Sequence, residues 1–111
     1  MPPPRWESRW GAIYTDANKG VVGFSTSKLG REQARQAALE DCTTKGGIQC
    51  RYAISYSNSC GAMVAGDNWF NVESGATEDE AIQAGMKACK KDKDTNCHVY
   101  LTTCSPAVLV Q

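Results

Sequence analysis

Histidine occurs once in this chain, at His98, so a serine or cysteine nucleophile assisted by histidine would have to be built around that one ring. It follows Cys97 on a strand candidate, where a surface or half-buried position accounts for it. A surplus of charge is missing as well. The 12 basic and 12 acidic side chains cancel, removing the basic face that nucleic acid or an anionic membrane surface would need. No apolar run reaches the ~20 residues of a membrane-spanning helix, so no membrane insertion is expected. No two cysteines stand as Cys-x-x-Cys, the close spacing usual in structural zinc sites. Cys89, Cys97 and His98 are the set that could hold a metal, but the spacing suits a disulfide better, and no cofactor is expected. Gly20, Gly23, Gly46 and Gly47 lack the lysine and the strand-to-helix setting of a phosphate loop.

What is present is six cysteines in two copies of one pattern. Cys42 and Cys50 enclose a polar loop, and 47 residues further on Cys89 and Cys97 enclose another. Cys60 and Cys104 remain. Six cysteines allow about fifteen pairings. The repeat favours Cys42 with Cys50, Cys89 with Cys97, and Cys60 with Cys104, the last expected to tie the two halves together. In the loop-entropy model the short bridges are worth about 2.5 kcal/mol each and the long one roughly 4 kcal/mol. Paired cysteines in a domain of this size point to an oxidising compartment, periplasmic or secreted. Met1 is followed by Pro2, Pro3, Pro4 and Arg5 with no apolar segment behind them. The expectation is therefore a mature exported chain with its signal peptide removed and a starting methionine supplied.

Hydrophobic periodicity orders the elements. Residues 1–9 read as a flexible N-terminal arm, and residues 10–111 as a single domain with halves at about 10–57 and 60–104. Trp10 to Tyr14 and Val21 to Ser25 form a hairpin around the turn chemistry of Asp16 to Gly20. Arg31 to Thr43 then changes period, with Ala34, Ala37, Ala38 and Cys42 on one helical face and Gly30 as its cap. Cys50 to Tyr56 alternates as a strand with Tyr52, Ile54 and Tyr56 on one side. Cys60 to Ala65 and Trp69 to Val72 make a second hairpin around Gly66, Asp67 and Asn68. Thr77 and Glu80 form a capping box that opens a second helix, whose buried stripe is Ala81, Ala84, Gly85, Ala88 and Cys89. Cys97 to Thr103 closes the second half as a strand.

Each half is thus strand, strand, helix, strand, and the class is α+β: an antiparallel sheet with two helices on one face. The helix faces are alanine, glycine and cysteine, so the helices should lie close to the sheet. A large side chain at Gly85 or Ala38 would overpack that contact at roughly 1–3 kcal/mol.

Trp10-Gly11-Ala12-Ile13 on a first strand, Gly23-Phe24-Ser25 on the second, the alanine-rich helix ending in Leu39 and Cys42, then Cys50 and Asn58-Ser59-Cys60-Gly61-Ala62 together resemble the bacterial domain of unknown function 4189. The resemblance covers about residues 10–104. It implies a small exported bacterial protein and supplies no activity and no catalytic residue to carry over.

Glu78, Asp79 and Glu80 could be read as an acid/base cluster. They sit in the first turn of the second helix with Lys87, Lys90 and Lys91 at its other end, which helix electrostatics explains. No catalytic constellation is expected, and the chain is read as not an enzyme. A functional surface is sought instead at the hairpin tips, where polar loops stand on a cross-linked scaffold. Met63, Asp67, Asn68, Trp69 and Phe70 at the second tip set aromatic side chains beside acidic and amide groups, and Asp16 and Asn18 mark the first. The expected function is a non-catalytic protein-binding module of the bacterial envelope. Its most concrete form is an immunity-type inhibitor occluding a secreted toxin or cell-wall hydrolase; the alternative is a structural or adhesive envelope domain without a tight partner.

Overall fold

The structure is a computed structural model and describes residues 2–110. In chain order its elements are β1 (Trp6–Glu7), β2 (Trp10–Asp16), β3 (Val21–Lys28), α1 (Arg31–Thr44), β4 (Arg51–Ser57), β5 (Ser59–Ala65), β6 (Phe70–Gly75), α2 (Glu78–Lys91), β7 (His98–Ser105) and β8 (Val108–Leu109). Strand, strand, helix, strand therefore recurs, from β2 to β4 and from β5 to β7.

The helices start and stop for local reasons. Thr77 is extended, and its side chain accepts from the Glu80 N–H at 3.2 Å, satisfying one of the free donors of the first turn. Gly30 supplies the extended cap of α1 without a side-chain acceptor. At the other end, Gly46 takes φ +105° and the Gly47 N–H returns to the Cys42 carbonyl at 2.9 Å. The second half repeats this stop with Lys93 at φ 59° and the Asp94 N–H donating to the Cys89 carbonyl at 3.2 Å. Each is the left-handed residue that ends a helix by turning its free carbonyls inward.

The strands form two three-stranded antiparallel sheets, in order β3-β2-β4 and β6-β5-β7, beside a two-stranded ribbon of β1 and β8. Where β4 and β7 close the sheets the registers correspond pair by pair, whereas β2 slips against β3 between Trp10 and Ala12 and β5 does not slip against β6. Ile13 opposite Ile54 has its counterpart in Met63 opposite Leu101, and Tyr14 opposite Tyr52 in Val64 opposite Val99. The register slips at the same point in both sheets, between Ile13 and Tyr14 and between Met63 and Val64. That bulge revises one expectation: Tyr52 and Tyr56 do not share a face, because the extra residue inverts the alternation. Tyr52 meets Tyr14 on the helix side, ring to ring at 5.8 Å, whereas Tyr56 is buried on the opposite side against Thr103.

The expected single sheet is divided in two, each with one helix on its outer face. Ala12 and Tyr14 pack against Ala34, Ala38 and Cys42 of α1, and Cys60 and Ala62 against Ala81 of α2. Side chains alternate along β2 and β5, so Gly11, Ile13, Gly61 and Met63 face away from the helices. These inner faces meet: a Cβ on Gly61 would strike Tyr56 and contact Ile13, and one on Gly11 would strike Tyr56 and Ser105. A single sheet with both helices on one face would leave Ile13 and Tyr56 in water, whereas here they are 0% and 5% exposed.

Three disulfides link Cys42 to Cys50, Cys60 to Cys104 and Cys89 to Cys97, as expected. The role expected for the second is corrected. Cys60 lies on β5 and Cys104 opposite it on β7, so this bridge staples neighbouring strands inside the second half. The halves are joined by their inner faces. Trp6 and Glu7, within the expected arm, pair with Leu109 and Val108, and Trp6 remains 64% exposed.

Candidate functional site

Both hairpin tips open at the same end of the molecule, where the inner faces of the sheets part. They flank a cleft of about 470 Å³ lined by Thr15, Asp16, Ala17 and Gly20 of the first hairpin and by Gly66 to Phe70 of the second, with Val21, Val22, Met63, Ala65 and Tyr100 as apolar walls. Volume and lining are those of a small ligand pocket or of a socket for a partner's side chain.

Aspartates tie each tip to the disulfide loop of its own half. In the first half the Ile48 and Gln49 N–H groups donate to Asp16 Oδ2 at 2.8 and 2.9 Å. These two bonds are the main reason its carboxyl is held below the ordinary aspartate range, and Lys19 and Asn18 assist while burial opposes. In the second half the Thr95 and Trp69 N–H groups each donate to Asp94 at 2.8 Å, and Asn68 donates to it through backbone and side chain at 3.1 Å. Burial is the largest single influence on Asp94 and raises its pKa. The hydrogen bonds from Thr95, Trp69 and Asn68 together outweigh it and leave the group lowered. Asp67 Oδ2 accepts from Thr95 Oγ1 and Asn96 Nδ2, both at 2.7 Å.

Of the residues expected at the binding surface, Met63, Asp16, Asp67, Asn68, Trp69 and Phe70 line this cleft, and Asn18 is exposed on the first tip outside it. Their parts differ. Asp16 is 3% exposed with its carboxylate turned to the loop, and Met63 is 7% exposed as part of the floor. Asp67 and Asn68 use their side chains to hold the tip. Trp69 and Phe70, adjacent in sequence, are 59% and 36% exposed, so neither ring is taken into the core. The tip backbone is thus fixed by carboxylates while its aromatic rings face solvent.

Sequence reasoning missed Asp94 and Tyr100. Asp94 stands in a run of charged residues, Lys90 to Asp94, that residue type alone does not tell from a solvated loop, and only the approach of that loop to the hairpin gives it a role. Tyr100, 56% exposed, comes from β7 and is brought beside the first hairpin by the stacking of the sheets. His98 stands apart at the start of β7, with Nδ1 at 2.7 Å from the Asn96 carbonyl. Glu78 accepts from Thr102 Oγ1 at 3.3 Å. Among the described residues no group of three or more His, Cys, Asp or Glu is arranged to hold a metal ion, and no helix is long and apolar enough to cross a membrane.

No curated protein and no solved structure matches this chain. A family model does, over residues 10–104, which begins at the first residue of β2, ends at Cys104 and so takes in both sheets, both helices and all three bridges. The chain belongs to the family described as Domain of unknown function (DUF4189).

Proposed function

We propose that this protein is a non-catalytic binding module of the bacterial envelope, periplasmic or secreted, and that it neutralises a secreted antibacterial toxin or cell-wall hydrolase by occlusion, as an immunity-type inhibitor. The observation that carries this reading is the pairing of a rigidly held tip with solvent-facing aromatic rings. Ordering a loop on binding costs free energy, and a tip already fixed by Asp94, Asp67 and the Cys89–Cys97 bridge has met that cost on folding. Trp69, Phe70 and Tyr100 are side chains that dominate binding energy when a partner buries them. The three disulfides suit the oxidising compartment in which such a partner would be met.

The test is affinity capture from envelope and secreted fractions with the oxidised domain as bait, repeated with Trp69→Ala. Trp69 is the informative position because its ring lies in solvent, whereas Asp67 and Asn68 also hold the tip. One secreted hydrolase or toxin retained in stoichiometric amount by the native domain, inhibited by it and lost with Trp69→Ala, is the expected result. An empty capture would move the reading to a structural or adhesive domain.

A further inference from the structure

On the flank of α1 that overlooks β2 and β4 stand two arginines whose guanidinium groups lie over aromatic rings of the sheet. Arg31 and Arg35 stand four residues apart, about 6 Å along the axis and on one face. The Arg31 guanidinium lies 5.2 Å from the Trp10 ring centroid, and that of Arg35 lies 4.8 Å from the Tyr52 ring. Neither has a carboxylate partner: the ion pairs among the described residues are Arg9 with Glu7 and Lys45 with Asp41, although Glu32 sits on the same turn. Arg35 Nε is shielded from water without a hydrogen bond, and the Tyr14 hydroxyl stands beside the guanidinium. Lys28, paired across the sheet from Trp10, adds a third positive charge.

The second half serves as an internal control. Forty-seven residues on from Arg31 and Arg35 stand Glu78 and Ile82, and the position of Tyr52 is taken by Val99. At the position of Trp10, opposite Ser57, stands Cys60, opposite Cys104. There Ile82 packs against the core, and the same helix lies on the same sheet with no arginine and no aromatic platform, so that packing can be made without guanidinium groups.

We propose that Arg31 and Arg35, resting on Trp10 and Tyr52, form a docking surface for an acidic segment of a protein partner. A guanidinium held against a ring has already given up much of its rotamer freedom, and its planar fork of N–H donors pairs with a carboxylate through two parallel bonds. A protein segment fits better than a phosphate polymer because the stripe is mixed. Leu39, one turn beyond Arg35, is 40% exposed, and Leu29, just before the helix, is 72% exposed. Alternating apolar and arginine contacts match a peptide carrying both kinds of side chain. This inference goes beyond the cleft and does not depend on Trp69.

The experiment titrates the isotopically labelled, oxidised full chain with a peptide of alternating Glu and Leu, with its Gln-for-Glu counterpart and with inorganic phosphate, following arginine Nε–H and backbone amide resonances. The Glu peptide is expected to shift Arg31, Arg35 and the α1 amides. R31Q/R35Q, folded by its amide spectrum, should bind at least about tenfold more weakly, and R31K/R35K should fall between the two, while Trp69→Ala binds as the native chain does. Lys87, Lys90 and Lys91 on α2 provide the comparison, since simple attraction to positive charge would shift them as strongly. Equal shifts there, equal binding of the Gln peptide, or phosphate saturating Arg31 and Arg35 as readily as the peptide would each overturn the proposal.

Discussion

The first half places Trp10 opposite Ser57 where the second places Cys60 opposite Cys104, and it sets Arg31 and Arg35 on aromatic rings where the second has Glu78 and Ile82. Strand order, the register and bulge of the central strand against β4 or β7, helix placement and the local bridge after the helix are common to both. What the halves share is therefore enough to build a small-residue helix on a three-stranded sheet. What they do not share was free to become something else, a covalent staple in the second half and a charged, aromatic surface in the first. The tips follow the same rule: each is tied to its disulfide loop by an aspartate, but Asp16 belongs to the hairpin and Asp94 to the loop, so the same fastening is made from opposite ends.

The sharpest way to break the comparison is to remove bridges and measure urea unfolding under oxidising conditions. C60A/C104A opens a link of sequence separation 44 and should cost about 4 kcal/mol. C42A/C50A and C89A/C97A each open a separation of 8 and should cost about 2.5 kcal/mol, equally in the two halves. Clearly unequal losses would mean that the halves depend on their local bridges to different degrees.

Close packing of helix on sheet comes next. A Cβ on Gly23 would run into the α1 backbone at Ala38 and Cys42, and one on Gly85 into Val64. Gly23→Ala and Gly85→Leu should each lose about 1–3 kcal/mol by overpacking, seen as a lower denaturation midpoint, and Ala38→Leu should behave as Gly85→Leu does. A variant that kept its midpoint would refute the close approach.

The aspartate ties predict a smaller, pH-dependent effect. Asp16 and Asp94 have folded-state pKa values below those of the unfolded chain. Their contribution is complete above the unfolded value and is lost as pH falls through the lower folded one, below about pH 4. D16N and D94N should therefore lower Tm at pH 7 and narrow their gap to the native protein as the pH is taken down to 2. A gap that widened on acidification would reverse the assignment. The smallest effect on stability belongs to the recognition groups: R31Q/R35Q and Trp69→Ala should melt close to the native protein, and a large loss in either would return those side chains to a structural role.

Much of this was legible before the fold was known. The common spacing of the cysteines singled out Cys42 with Cys50 and Cys89 with Cys97 and left Cys60 to Cys104, Thr77 and Glu80 marked the start of α2, and the alanine and glycine faces located the helix contacts. The misreadings have one source. Tyr52, Ile54 and Tyr56 alternate in the sequence as though on one side of a strand, and only pairing with β2 shows the bulge that turns Tyr52 and Tyr56 to opposite faces. Cys60 follows the last strand of the first half closely enough to be counted with either half, and its position on β5 settles which. The candidate site was half visible: Trp69 and Phe70 stood out by residue type, whereas Asp94 and Tyr100 reach the cleft only through contacts distant in sequence.

Local chemistry is short-ranged, so the sequence by itself determined the helices, their caps, the hairpins and, through repeated spacing, the two local disulfides. How two sheets dispose of their second faces is a question about surface buried between segments far apart in the chain, and no periodicity within one strand records it. The tertiary structure decided that these faces meet at Ile13, Tyr56, Gly61 and Met63, and with that which tips share a cleft, which carboxylates fasten them and which rings are left in water.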